Sequence, residues 1–91
     1  MKELLKLKNI GEVSAKMLNE IDVFTRDDIV KLGPATIFHI LKAQGFNVNL
    51  MMVYALEGAI TNRHFNDIPH ADKERLRKEV ENTLFDNLTG N

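Results

Sequence analysis

Apolar residues recur at helical spacing along almost the whole chain, and turn residues divide the pattern into short helices. Leu4, Leu5 and Leu7 mark a first helix over about Lys2 to Lys8. Asn9-Ile10-Gly11 closes it as a tight turn, with the glycine expected to supply the positive φ. A second helix runs from Glu12 or Val13 to Ile21, where Val13, Met17 and Ile21 repeat at i, i+4 and i+8 beside Ala15 and Leu18. Thr25-Arg26-Asp27-Asp28 has the form of a capping box with aspartate at its fourth position, opening a third helix with Ile29, Val30 and Leu32.

Gly33 then stops that helix, and Pro34 suits the first turn of a fourth, over about Pro34 to Gln44. Ile37, Phe38 and Leu41 share one side of it, and Gly45 ends it. Asn49, or Asn47, caps a fifth helix over about Leu50 to Thr61, apolar almost all round from 50 to 56 and so expected to be buried on most faces. Asn62 fits a left-handed C-terminal position. A last helix starts at Pro69, with Leu76, Val80, Leu84 and Leu88 every four residues. Charges of both signs between them predict a solvated face with i,i+4 pairing, and the apolar ladder is expected to pack inward. Strand-type alternation never extends past three or four residues. The pattern predicts an all-α fold of five to seven helices in one domain spanning 1–91.

Composition narrows the function classes. With 91 residues there is room for one small core. The chain has no cysteine, which removes disulfides, thiolate metal sites and a cysteine nucleophile. A net charge of −1 argues against coating nucleic acid or anionic lipid by bulk attraction. The charge is nonetheless uneven: residues 1–11 carry a net +2, residues 12–30 a net −3, residues 31–66 a net +2 and residues 67–91 a net −2. The N-terminus has the composition of neither a signal peptide nor a membrane span, so a cytoplasmic address without membrane contact is expected.

No constellation of catalytic groups emerges. His39, His64 and His70 lack metal-ligand spacing, no phosphate-binding glycine loop is present, and Ser14 reads as a helix-capping hydroxyl. Neither a cofactor nor a metal is expected, and the chain reads as a non-enzyme. Glu57 stands out inside an apolar helix, either as a proton carrier or as a structural carboxylate paired with Arg63 or His64. The second role is preferred, because one acid without a co-catalyst makes no mechanism. Gly58 beside it is expected to permit a close helix crossing. Arg63, His64 and Asn66 form a polar cluster that serves either as a recognition patch or as a cap for the last open carbonyls of the fifth helix.

Leu7-x-Asn9-Ile10-Gly11-x-x-x-Ala15-x-x-Leu18 looks like a helix-hairpin-helix, whose turn can offer backbone N–H groups to a DNA phosphate. Such a contact would use the turn residues Asn9, Ile10, Gly11 and Val13 with Lys6, Lys8 and Lys16. It would be weak: Asn9 takes the first of two usual glycine places, and Glu12 stands where the phosphate would come. A compact helical corner is the competing reading.

A longer pattern follows: Asn47-Val48-Asn49-Leu50, then Tyr54 to Thr61, Arg63-His64-Phe65-Asn66 and Ile68-Pro69. With the hairpin and Thr25 to Ile29, it resembles the C-terminal domain of the TfoX/Sxy family of competence regulators, over about Leu5 to Leu76. Phe65 replaces the family's usual tryptophan. The resemblance implies a helix-hairpin-helix-like, SAM-domain-like arrangement and a non-enzymatic role in transcriptional control of DNA uptake. It also implies a stand-alone copy, since the family's regulators carry a further N-terminal domain. The expected partners are a protein (a separate N-terminal-type domain or the transcription machinery), DNA in weak contact, or a second copy as a homodimer. A helical protein-interaction or self-association domain with no nucleic-acid role is the alternative.

Overall fold

A computed structural model describes the backbone of residues 2–89 and the side chains of residues 2–83. Within them the chain forms six α-helices and one 3-10 turn, with no strand. These are α1 (Lys2–Leu5), α2 (Glu12–Glu20), α3 (Arg26–Leu32), α4 (Pro34–Ala43), α5 (Leu50–Thr61), the 3-10 turn (Phe65–Asp67) and α6 (His70–Thr89). The predicted inward packing of Leu84 and Leu88 lies outside the described side chains.

Local chemistry sets most of the boundaries. The Thr25 hydroxyl accepts the Asp28 N–H at 3.1 Å, and the Asp28 carboxylate accepts the Thr25 N–H at 3.2 Å, completing the capping box. Asn49 caps α5 through Oδ1, which accepts the Met51 N–H at 2.9 Å. Three helices end in the same way, with a left-handed residue followed by a 6→1 bond. The left-handed residues are Asp22 after α2, Gly45 after α4 and Asn62 after α5. The closing bonds run from Val23 N–H to Leu18 O (2.9 Å), Phe46 N–H to Leu41 O (3.0 Å) and Arg63 N–H to Gly58 O (2.8 Å). Gly45 and Asn62 match expectation; Asp22 carries a signal too generic to read from sequence.

Other boundaries shift. α1 ends at Leu5 instead of Lys8, because the Lys6 and Leu7 amides bond three residues back, to Glu3 and Leu4, and the chain tightens into a turn. The positive φ in the hairpin belongs to Asn9 (71°), whereas Gly11 is extended as the N-cap of α2. Pro69 precedes α6, and its carbonyl accepts the Lys73 N–H at 3.1 Å. Ser14 lies inside α2, which has no side-chain cap.

The core is wholly apolar, with no buried polar or charged residue among the described ones. Leu56 and Val53 of α5 sit at its centre with Ile37 and Leu41 of α4, Ile29 of α3, Leu18 of α2 and Leu76 of α6, each fully buried. Burying each such side chain contributes about 1.5–3 kcal/mol. α5 is buried on most faces, as expected, with Met51 and Thr61 as its exposed exceptions. α4 and α6 are also pinned by His39, whose Nε2 lies 2.7 Å from the Val80 carbonyl; the ring must carry its proton on that nitrogen. Arg26 closes α5 from α3, its Nε and Nη2 donating to the Ile60 carbonyl at 3.2 and 2.6 Å.

Candidate interaction surface

The apolar face predicted for α2 turns inward except at Val13. Ala15 and Leu18 are buried, while Val13 is 73% exposed and Met17 and Ile21 are only half-buried. Apolar periodicity alone could not show that Val13, at the edge of that face, would be left outside the core. The outcome places Val13 and Met17 at the surface, against Phe46 of the α4–α5 loop and the first turn of α5.

Two adjoining depressions result. One is an open cleft of about 310 Å³ between α2 and α5, lined by Ser14, Met17, Val48, Met51, Met52 and Phe65 with the amide side chains of Asn9, Asn47 and Asn49. No charged residue lines it. The other, about 480 Å³, is lined by Val13, Lys16, Met17, Glu20 and Phe46, and Met17 forms the wall they share. Unbranched methionines at positions 17, 51 and 52 make this surface adaptable in shape. Met51 is 47% exposed.

The hairpin beside the cleft divides its predicted contact residues between inside and outside. Ile10 is buried, and the side chain of Asn9 points inward, where Nδ2 donates to Ala55 O (3.2 Å) and Arg63 O (2.9 Å) while Oδ1 accepts the Phe65 N–H (3.1 Å). Lys6, Lys8, Gly11, Val13 and Lys16 face solvent. The N-terminal amides of α2 have no side-chain cap, and Glu12 is exposed in that first turn. Its charge complements the helix dipole and opposes an incoming phosphate.

The polar residues near the end of α5 do not converge on one point. Glu57 pairs with Arg75 of α6 at 3.0 Å, not with Arg63 or His64 as expected. Nothing in the chain near Glu57 signals a partner 18 positions on; only the packing of α6 against α5 supplies it. Arg75 also binds Glu79 at 2.8 Å, and that bond, with Glu57 adding to it, pushes the guanidinium pKa further up. Arg63 reaches Asp72 at 3.4 Å and donates to the Thr61 hydroxyl at 3.0 Å. His64 caps the 3-10 turn through Nδ1, which accepts the Asn66 N–H at 3.2 Å, and its ring stacks on Phe65 at 4.5 Å. Asn66 is exposed and lends its backbone to that cap. Gly58 admits no helix crossing: a Cβ there would collide with the Asn9 amide and the Arg63 carbonyl.

Among the described residues there is no group of three or more His, Cys, Asp or Glu that could hold a metal ion. None of the helices among them is long and apolar enough to cross a membrane.

The fold has close structural counterparts. It is similar to the crystal structure of an uncharacterized protein from Listeria monocytogenes in a triclinic form, with a TM-score of 0.76 and 26% identity. That match covers 96% of this chain and 93% of the other. A protein of unknown function from the same organism, in a tetragonal form, matches with the same TM-score and identity over 87% of this chain and 98% of that one. No curated protein matches the chain. The model of the TfoX C-terminal domain matches residues 1–80, which include the Asn9 turn, the capping box and the whole of α5. The chain belongs to the TfoX C-terminal domain family.

Proposed function

We propose that the chain is a non-catalytic regulatory module of the competence-regulator kind, which acts by gripping a protein partner in the cleft between α2 and the start of α5. One observation carries this reading: Val13, Met17, Phe46 and Met51 gather apolar surface in an open depression where the sequence pattern alone would have buried Val13. Exposed apolar surface on a domain this small marks a contact site. The uncharged lining of the part between α2 and α5, where Met51 and Met52 lie, suits a protein side chain better than a phosphate. Family membership supports a role in regulating DNA uptake.

The test is co-purification of the tagged full chain from its native cell. A partner should be retained by the natural chain and lost with Val13→Asp and Met51→Asp, both at exposed positions. A complex that survives both substitutions would overturn the reading.

A second reading, weak DNA contact at the hairpin, is favoured by the uncapped amides of α2 beside the solvent-facing Lys6, Lys8 and Lys16. Fluorescence anisotropy with a labelled duplex at low salt decides it. Binding that falls steeply with salt and with Lys6→Ala and Lys8→Ala would support it, and no binding at low salt would remove it.

A further inference from the structure

Building on the reading of the α2–α5 cleft as a protein-binding surface, we infer that its occupant is a second copy of this chain, docked antiparallel along α2. Two rows run side by side on the outward face of that helix. Glu12, Lys16 and Glu20 follow at i, i+4 and i+8, alternate in sign, and are all exposed. None of the three has an ion-pair partner among the described residues. Val13 and Met17, also at i and i+4, lie about 100° further round the helix and continue onto Phe46 and Met51.

A surface with this layout is complementary to itself. A two-fold axis lying across α2 sets the partner's helix antiparallel and keeps the charged row over the charged row and the apolar row over the apolar row. With the axis crossing between Glu12 and Lys16, each Glu12 meets the opposite copy's lysine, twice over. The midpoint of Val13 and Met17 falls within one residue of that same axis, so the apolar pair brackets it. Centring on Lys16 instead would set lysine against lysine and Glu12 against Glu20, which repel. Centring between Lys16 and Glu20 would restore the ion pairs but carry Val13 past the end of the facing helix. The sign pattern and the apolar pair therefore agree on one register. A DNA strand would meet Glu12 and Glu20, and a purely basic segment would meet Lys16 in the middle of the row.

Sedimentation velocity of the full chain from about 10 μM to about 1 mM tests the inference. The natural chain should pass from monomer to dimer over that range. Lys16→Glu alone and Glu12→Lys alone should each weaken association roughly tenfold or more, and the double swap should recover to within about threefold. Val13→Asp should abolish the dimer with the circular dichroism spectrum unchanged, because that side chain is 73% exposed. A natural chain that stays monomeric at the highest concentration would overturn the inference. So would a dimer that Lys16→Glu and Val13→Asp leave intact. The first result leaves the cleft reading standing if Val13→Asp still releases a different co-purified protein; if that release fails as well, both fall.

Discussion

The side-chain amide of Asn9 occupies the space into which Gly58 would project a Cβ. The two residues are far apart in sequence, yet each explains the other. Asn9 adopts a left-handed backbone, which asparagine tolerates better than most residues. That conformation turns its amide toward the end of α5, where it donates to the carbonyls of Ala55, inside the helix, and Arg63, beyond it, and accepts the Phe65 N–H. The approach requires a residue without a side chain at position 58. The hairpin and the Asn62–Phe65 corner are thereby held as one unit, which fixes the wall of the cleft containing Asn9, Ala55 and Phe65.

Gly58→Ala should accordingly destabilise the fold by about 2–4 kcal/mol, since the new methyl group displaces the Asn9 amide and presses on the Arg63 carbonyl. Gly11→Ala supplies the contrast. Gly11 is extended and a Cβ there meets nothing within 4 Å, so the change should fall within about 1 kcal/mol of neutral. Urea unfolding of the two variants checks the difference, and equal midpoints would refute it.

Substitutions at Asn9 should separate backbone from side chain. Asn9→Gly keeps the positive φ but leaves the Ala55 and Arg63 carbonyls and the Phe65 N–H without their partner, at a cost of about 1–3 kcal/mol. Asn9→Ala loses the same bonds and adds about 1 kcal/mol for a methyl-bearing residue at φ 71°. The double variant Asn9→Gly/Gly58→Ala should cost less than the two single changes together, because it removes one of the two collisions. Strict additivity in urea would show that the two residues act independently.

These residues also mark how far the sequence is legible. Boundaries written in local chemistry were readable: the Thr25–Asp28 box, Gly33 followed by Pro34, the Asn49 cap, and Gly45 and Asn62 beyond their helices. Each depends on groups only a few residues apart. The family resemblance was readable too, because it rests on a motif set spread over most of the chain. What could not be read was which residues of the one apolar face of α2 the core would choose, Ala15 and Leu18 over Val13. The choice depends on what surrounds the helix, and it decides where the cleft lies. Asn9 reaching Arg63 and Glu57 reaching Arg75 are likewise products of packing that no local spacing announces.

Asp28 should give the fold an acid limb. The Phe24 N–H at 2.9 Å is the main cause of a carboxyl held below its ordinary 3.8, with the Thr25 N–H and hydroxyl and Lys31 helping against some desolvation. A group with a lowered folded pKa stabilises while charged. Its contribution is complete above the ordinary value and fades as pH falls through the lower folded one. Asp28→Asn keeps an oxygen that can accept these bonds, so it should melt close to the natural chain at about pH 7 yet lose less stability toward about pH 2. Parallel acid-limb slopes for the two proteins would contradict this.

The Glu57–Arg75 pair joins an enclosed carboxylate to a half-open guanidinium, and the asymmetry determines what each deletion should do. The Glu57 side chain is 12% exposed and that of Arg75 47%. Removing the acid frees an arginine that still has Glu79 and water, so Glu57→Gln should cost only about 1 kcal/mol. Removing the base leaves an enclosed carboxylate without its cation, so Arg75→Met should cost more, about 2 kcal/mol, despite its more exposed position. The double variant should fall short of the sum by about 1 kcal/mol, the coupling between the two charges. Urea unfolding near pH 7 in about 0.1 M and 1 M salt measures all three, and high salt should shrink the coupling because one partner is open to solvent. If Glu57→Gln melts like the natural chain and Arg75→Met costs no more than it does, the carboxylate is held by helix packing alone.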